Sequence, residues 1–253
     1  MSDTLATKSA TPAPRDGFVR RVVNFIGADN LSLIFALIVL VLLITVVSGW
    51  FGYAGGDKFF SWQNTMISLA QAIVVVGLLA MGETVVIIAG ALDISVGSIA
   101  SVGSVVAASV LVGVGTAGAI GLPTGNVFIA VLAGIVAGMI CGAVNGFIVT
   151  TLRVNPIIAT LGTLAAFGGI AFMLAPEGKP VGVVTQPAFT WLAQGRFLTG
   201  LPIPPLGGSA WTGIPVLTVI LVIVTIFVHI LMTYTDFGRA IYAIGGNATA
   251  ARL

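Results

Sequence analysis

The stretch GETVVIIAGALDISVGS, residues 82–98, holds two acidic side chains inside the most apolar part of this chain. They are Glu83 and Asp93, and no other side chain between Lys58 and Arg153 carries a formal charge. Charged groups within membrane-spanning segments are rare, and they are usually paired or functional. The fold must therefore give both acids either a polar partner or a role.

The same stretch predicts an interruption of the helix. Glycines flank Asp93 and Ser95, whose side chains compete for nearby backbone hydrogen bonds. We predict a helix break near residues 90–97, with Asp93 or Ser95 capping the start of the next helix. Such a cap satisfies amide groups that hydrocarbon would leave unpaired.

Composition indicates that the chain lies in a lipid bilayer. Of its 253 residues, 58% are hydrophobic and only 7% are charged, whereas a soluble domain carries about 25% charged residues. The net charge of +2 is too small for a clustered basic surface, so we expect no nucleic-acid partner. The sequence has one cysteine, no phosphate-binding loop and no His/Cys metal motif, so we expect no cofactor, no metal and no enzyme activity.

Apolar runs of the length that crosses a bilayer, about 20 residues, occur about six times. They are residues 31–49, 64–90, 97–117, 126–150, 156–174 and 214–232. We therefore predict an all-α, polytopic membrane helix bundle of about six transmembrane helices. A polar tail, residues 1–30, precedes the first of them.

The basic residues orient these predicted spans. When six spans are counted, three basic groups fall on one side, which the positive-inside rule makes cytoplasmic. The groups are Lys8, Arg15, Arg20 and Arg21 in the tail, Arg153 between spans four and five, and Arg239 and Arg252 after span six. We expect a multi-pass protein of the cell (inner) membrane, with the tail and residues 233–253 in the cytoplasm and residues 175–213 outside.

A glycine recurs at every fourth position of span four. These residues are Gly134, Gly138, Gly142 and Gly146. The spacing places all four on one helix face, where another helix can approach closely. We predict that they form a helix-packing face, and that Asn145 can hydrogen-bond across the same interface.

Three stretches, in order along the chain, resemble the permease subunits of bacterial ATP-binding cassette importers of the ribose, xylose and galactose type. They are ETVVIIAGALDISVGS (83–98), NPIIATLGTLAAFGGIAFML (155–174) and TDFGRAIYAIGGNATAARL (235–253). The resemblance implies that residues 31–253 belong to the transmembrane domain of an importer for a small sugar, a pentose or hexose. It also leads us to expect further spans beyond Leu253.

The resemblance implies partners as well. They are a second permease subunit, cytoplasmic ATP-binding subunits that hydrolyse ATP, and an extracytoplasmic solute-binding protein. The ATP-binding subunits would contact the last of the three stretches. Candidate residues for this contact are Asp236, Phe237, Gly238, Arg239 and Asn247.

The residues of this last stretch predict a short amphipathic helix. Thr235 or Asp236 starts the helix, and the pair Gly245–Gly246 stops it. One apolar face combines Phe237, Ala240, Ile241 and Ile244. Besides docking to another subunit, such a helix could lie on the lipid surface or pack under its own bundle.

Five polar residues are candidates for the solute path: Glu83, Asp93, Asn145, Thr160 and Thr163. The alternative for the acids and the threonines is a structural role, namely capping, pairing across helices or bonding to a backbone carbonyl. Two alternative functions also remain. The same architecture could import another solute, such as a branched-chain amino acid, or the chain could be an ion-coupled secondary transporter.

Overall fold

The computed structural model describes residues 28–50, 59–112, 125–179, 186–206, 209–247 and residue 251. The predictions for the polar tail before residue 28, for the end of span three at residues 113–117 and for Arg252 lie outside these residues. The chain divides into two compact units, residues 1–60 and residues 61–253, and each is described by itself.

Most of the described chain is helical. The first unit contains α1, Ala28–Trp50. In the second unit a π-helical turn, Gln63–Ser68, leads into the first long helix. The helices of this unit are α2 Leu69–Ile88, α3 Val96–Val112, α4 Val127–Thr150, α5 Pro156–Leu174, α6 Pro187–Gln194, α7 Val216–Tyr234 and α8 Asp236–Asn247. Two short antiparallel strands, β1 Arg196–Phe197 and β2 Ile214–Pro215, pair with Arg196 opposite Pro215.

Among the described residues, five helical segments are long and apolar enough to cross a membrane. They are Asn30–Val47, Gln63–Ile88, Val127–Thr150, Pro156–Leu174 and Val216–Tyr234. Helix α3 is apolar but shorter, with 17 residues described. Large outward side chains such as Phe128 and Met173, 75% and 80% exposed, are apolar, as contact with lipid requires. The predicted all-α membrane bundle is therefore confirmed.

Helices α4 and α5 both begin at an asparagine cap. The side-chain oxygen of Asn126 accepts a hydrogen bond from the Phe128 amide at 2.9 Å. The side-chain oxygen of Asn155 accepts one from the Ile157 amide at 3.0 Å. Pro156 opens α5, where its missing amide costs nothing because the first helical amides have no intrahelical partner.

The loop between α5 and α7 packs on the start of α2. Trp62 Nε1 donates a hydrogen bond to the Pro204 carbonyl at 2.8 Å, and the rings of Trp62 and Trp211 meet edge to face at 5.2 Å. Gln71 Nε2 donates to the Ala193 carbonyl at 3.5 Å. These contacts define one end of the second unit, whereas α2 stops and α3 begins at the other.

Helices α3 and α4 approach each other most closely at glycine. A Cβ atom added at Gly134 would lie 2.8 Å from the carbonyl oxygen of Gly103. Gly138 makes only an ordinary contact, and the space beside Gly142 and Gly146 is open among the described residues. The close approach predicted for the glycine row is thus formed at Gly134, and at Gly142 and Gly146 it stays a prediction.

Helix α8 contains the glycines that were expected to end it. Thr235 Oγ1 accepts a hydrogen bond from the Gly238 amide at 3.3 Å, so the predicted helix start is confirmed. The predicted stop at Gly245 and Gly246 is wrong, because both residues lie inside α8. The reason is packing: a Cβ atom at Gly245 would overlap the carbonyl oxygen of Ile88, so glycine lets α8 touch the end of α2.

The face of α8 that packs on the bundle also differs from the predicted apolar face. Gly238, Ile241 and Gly245 follow at spacings of three and four residues, which places them on one side of the helix. Gly238 is buried and Ile241 is half-buried. Phe237 and Ile244 are 51% and 45% exposed, so much of the predicted apolar face remains uncovered in the described structure.

We expect Gly134→Leu to destabilise the protein, because the larger side chain would force α3 away from α4. Overpacking of this kind costs on the order of 1–3 kcal/mol, which should lower the midpoint of thermal unfolding in detergent. Gly142→Leu on the same helix is the matched control, since the space beside it is open. An unchanged midpoint for Gly134→Leu would contradict the close contact, and equal losses would place another helix against Gly142.

Candidate functional site

The candidate site lies at the break between α2 and α3. Helix α2 ends at Ile88, and Gly90 adopts a φ of 84°, a left-handed conformation that favours glycine. The chain then runs without helical structure until α3 begins at Val96. The break predicted near residues 90–97 is confirmed, at residues 89–95.

The two acids meet across this break. The backbone amide of Asp93 donates a hydrogen bond to Glu83 Oε1 at 3.0 Å. Asp93 Oδ1 in turn accepts hydrogen bonds from the backbone amide of Ser95 at 2.8 Å and from its hydroxyl at 2.6 Å. Both carboxylates therefore hold the backbone of the break in place.

Asn145 connects the break to α4. Its side-chain amide donates to Ser95 Oγ at 2.7 Å and to Asp93 Oδ2 at 3.3 Å. Asn145 is only 6% exposed, although it is 52 residues from Asp93 in the chain. We call Glu83, Asp93, Ser95 and Asn145 together the acid cluster.

The predicted cap of α3 has a different geometry. Asp93 accepts from the amide of Ser95, which lies before the helix rather than in its first turn. The Ser95 hydroxyl bonds to the carboxylate, while its carbonyl accepts the first helical amide, that of Ile99, at 3.0 Å. Ser98 Oγ also donates to this carbonyl, at 2.8 Å. Neither predicted side chain caps the first-turn amides, because the acid cluster uses both.

The acid cluster contains two hydrogen-bond acceptors without a donor. Glu83 Oε2 and Asn145 Oδ1 are buried and have no hydrogen-bond partner among the described residues. A buried polar atom left unpaired costs about 1–3 kcal/mol. A hydrogen-bond donor supplied to either atom would remove this cost.

The two candidate threonines lie on α5. Thr160 Oγ1 donates to the Pro156 carbonyl at 2.8 Å and lies 3.5 Å from the Leu92 carbonyl in the break. Thr163 is buried one turn further along and donates to the Thr160 carbonyl at 3.3 Å. Thr160 thus reaches the site, whereas Thr163 bonds within its own helix.

A cavity of about 330 Å³ lies beside the acid cluster. The ends of α2 and α4, the break, the start of α5 and one residue of α8, Ile241, form its wall. Its polar lining residues are Asp93, Asn145, Thr150 and Thr160. Glu83 stands behind Asp93 and is not part of the wall. The volume falls within the range of sites for small organic molecules, about 300–1,000 Å³.

The candidate contact residues on α8 differ in their surroundings. Asp236 and Arg239 form an exposed ion pair in the first turn. Phe237 and Asn247 are exposed as well. Gly238 is buried, and a Cβ atom there would overlap the backbone near the end of α7. Gly238 therefore holds α8 on the bundle and does not belong to its free surface.

The contact between the break and α8 was not predicted from the sequence. A Cβ atom at Gly90 would lie 3.9 Å from the Cα atom of Gly245. The only local signal was Gly90 itself, because a glycine just past the end of a helix often takes the left-handed conformation. Nothing in the sequence indicated that a glycine 155 positions later would lie against it.

Comparison with known proteins identifies relatives. Residues 64–253 match the family described as the branched-chain amino acid transport system, permease component. The ribose import permease protein RbsC of Bacillus subtilis is 29% identical over 238 residues, 93% of this chain and 60% of the relative. RbsC of Escherichia coli K12 is 34% identical over 221 residues, 86% of this chain and 59% of the relative.

The L-arabinose transport system permease protein AraH of Escherichia coli K12 is a third relative, 34% identical over 194 residues, 77% of this chain and 51% of AraH. The chain thus spans 51–60% of the length of these three relatives. No solved structure matches the chain.

We expect Asp93→Leu to destabilise the protein, and Asp93→Asn to retain most of its stability. Leucine removes the acceptor of the Ser95 amide and hydroxyl, whereas the oxygen of asparagine can still accept both. Each unpaired buried group costs about 1–3 kcal/mol, which the midpoint of thermal unfolding in detergent should report. Asp236→Leu, at an exposed acid, is the control. If both Asp93 variants kept normal stability and lost transport equally, the negative charge of Asp93 would be required for transport and its structural role would be secondary.

Proposed function

We propose that this chain, which belongs to the permease component family of the branched-chain amino acid transport system, is part of the transmembrane subunit of an ATP-binding cassette importer for a small sugar. The observation that carries the proposal is the cavity beside the acid cluster, a mostly apolar pocket whose polar lining residues are Asp93, Asn145, Thr150 and Thr160. Two of its relatives are named for ribose import and L-arabinose transport, and these names point to the same class of solute.

The polar groups of the cavity favour a solute rich in hydroxyl groups. Asn145 Oδ1 has no donor among the residues that the structure describes, and Asp93 lines the same cavity. Sugar hydroxyls donate hydrogen bonds to such oxygens, and the apolar remainder of the wall suits the faces of a sugar ring. We propose that Asp93, Asn145 and Thr160 face the solute, that Glu83 supports Asp93 from behind, and that Thr163 has a structural role.

The cavity is less suited to an amino acid, the solute in the name of the family. None of the described residues in its wall is basic, so nothing there would pair with the carboxylate of an amino acid. The carboxylate of Asp93 would attract the ammonium group of an amino acid but would repel its carboxylate. This argument favours the sugar over the branched-chain amino acid alternative.

We propose that the end of the second unit holding the acid cluster faces the cytoplasm of the cell. Arg153, in the loop between α4 and α5, and Arg239, on α8, both lie at this end and are exposed. Basic residues next to spans favour the cytoplasmic side. The opposite end, where the loop between α5 and α7 packs on α2, would then face the solute-binding protein.

We propose that α8 docks the ATP-binding subunit. Its exposed surface combines two apolar side chains, Phe237 and Tyr242, 51% and 53% exposed, with the ion pair of Asp236 and Arg239. Apolar anchors surrounded by charged groups are typical of protein interfaces. Because α8 touches both α2 and α7, motion of a docked subunit would reach the bundle directly. A second permease subunit would complete the membrane domain.

Uptake measurements test the function. In cells that express the full-length protein with its partners, we expect ATP-dependent accumulation of labelled ribose or arabinose that persists when an ionophore removes the ion gradients. Labelled leucine is the control solute. Accumulation of leucine but not of the pentoses would support the amino-acid alternative. Uptake that requires only the permease and stops with the ionophore would support an ion-coupled transporter.

Charge reversal at two matched ion pairs tests the docking surface. We expect Arg239→Glu to weaken binding of the ATP-binding subunit about tenfold, since losing a charged interface contact costs on the order of 1.4 kcal/mol. Lys179→Glu is the control, because Lys179 also forms an exposed pair, with Glu177, near the other end of the unit. Co-purification and solute-stimulated ATP hydrolysis measure the effect. Equal results for both variants would place the ATP-binding subunit elsewhere.

A further inference from the structure

We propose that α8 is also the inner gate of the solute path, and that the side chain of Ile241 closes the cytoplasmic end of the cavity. The proposal rests on the proposed function, since it requires that the cavity carries solute and that α8 docks the ATP-binding subunit. It adds that one short helix performs both tasks with different sides.

The position of Ile241 carries the proposal. The residues around the cavity come from the ends of α2 and α4, the break and the start of α5, and α8 supplies Ile241 alone among the described residues. Helix α8 follows the end of α7 and touches Ile88, the last residue of α2. Ile241 therefore lies where the bundle ends, whereas Asn145 and Thr160 lie deeper along their helices.

The chemistry of Ile241 suits a gate. An apolar side chain across the end of a path for polar solutes acts as a hydrophobic constriction, which blocks passage because water and hydroxyl groups lose their hydrogen bonds there. Two of the polar lining residues of the cavity, Asp93 and Asn145, belong to the acid cluster. A solute held at the acid cluster would meet Ile241 before it reached the cytoplasm.

The backbone contact of α8 shows how the gate could be moved. Gly245 lies against the carbonyl oxygen of Ile88 and close to Gly90, so no side chain separates α8 from the end of α2 and the break. Ile241 is one turn away on the same face. Withdrawal of α8 from α2 by a docked subunit would withdraw Ile241 from the cavity in the same movement.

Cysteine labelling tests this gate in inside-out membrane vesicles. A cysteine replaces Gly146, which lines the cavity and has open space beside it, and a membrane-impermeant maleimide is added. The natural Cys141 is buried and gives the background rate. We expect Ile241→Ala to raise the labelling rate of this cysteine severalfold. Ile244→Ala, the same change at an exposed residue one turn along α8, should leave the rate unchanged.

A second pair of variants moves α8 without changing Ile241. Gly245→Ala introduces a methyl group against the Ile88 carbonyl, whereas Gly246→Ala places it in open space. We expect faster labelling in Gly245→Ala only. Unchanged labelling in both Ile241→Ala and Gly245→Ala, or equal increases in all four variants, would overturn the gate. If the ATP-binding subunit still co-purifies in that case, the docking proposal stands and only the gate is lost.

Discussion

The hydrogen bond from the Asp93 amide to the Glu83 carboxylate is the interaction on which the site depends. Where a helix stops, backbone groups lose their helical partners, and apolar surroundings offer them no replacement. The Glu83 carboxylate accepts a hydrogen bond from the Asp93 amide, and the Asp93 carboxylate accepts one from the Ser95 amide. The nine residues between the acids complete α2, turn at Gly90 and bring the chain back beside that helix.

The two acids differ in how many hydrogen bonds their carboxylates accept. Within the described part of the chain, the Asp93 carboxylate accepts bonds from Ser95 and Asn145, whereas Glu83 accepts one bond and its other oxygen is buried without a donor. Asp93 and Asn145 line the cavity, and Glu83 does not. The cluster therefore combines two functions usually treated as alternatives. It satisfies the backbone of the break, and its outer side presents oxygen atoms to a small cavity.

Local features of the sequence predicted most of the helices. Runs of apolar residues located the membrane helices, and the glycines around Asp93 located the break, because both signals act within a few residues. Asn145 was a candidate from the sequence, but its bond to Ser95 joins residues 50 positions apart and has no local signal. The predicted helix stop at Gly245 and Gly246 was wrong for the same reason, namely that a long-range contact leaves no local signal. Gly245 reads locally as a helix stop, yet tertiary contact with Ile88 decides its conformation.

Glycine on both sides of the contact between α8 and the break has a mechanical consequence. Where side chains interdigitate, two elements can move apart only if several rotamers change, since packed interiors deform little. At Gly90 and Gly245 the backbones face each other almost directly, so few side chains resist a small separation. The buried Gly238 keeps the start of α8 on α7. Helix α8 is therefore packed on backbone at both ends, on α7 through Gly238 and on α2 through Gly245, and a small displacement of the helix would meet few interlocked side chains at either end.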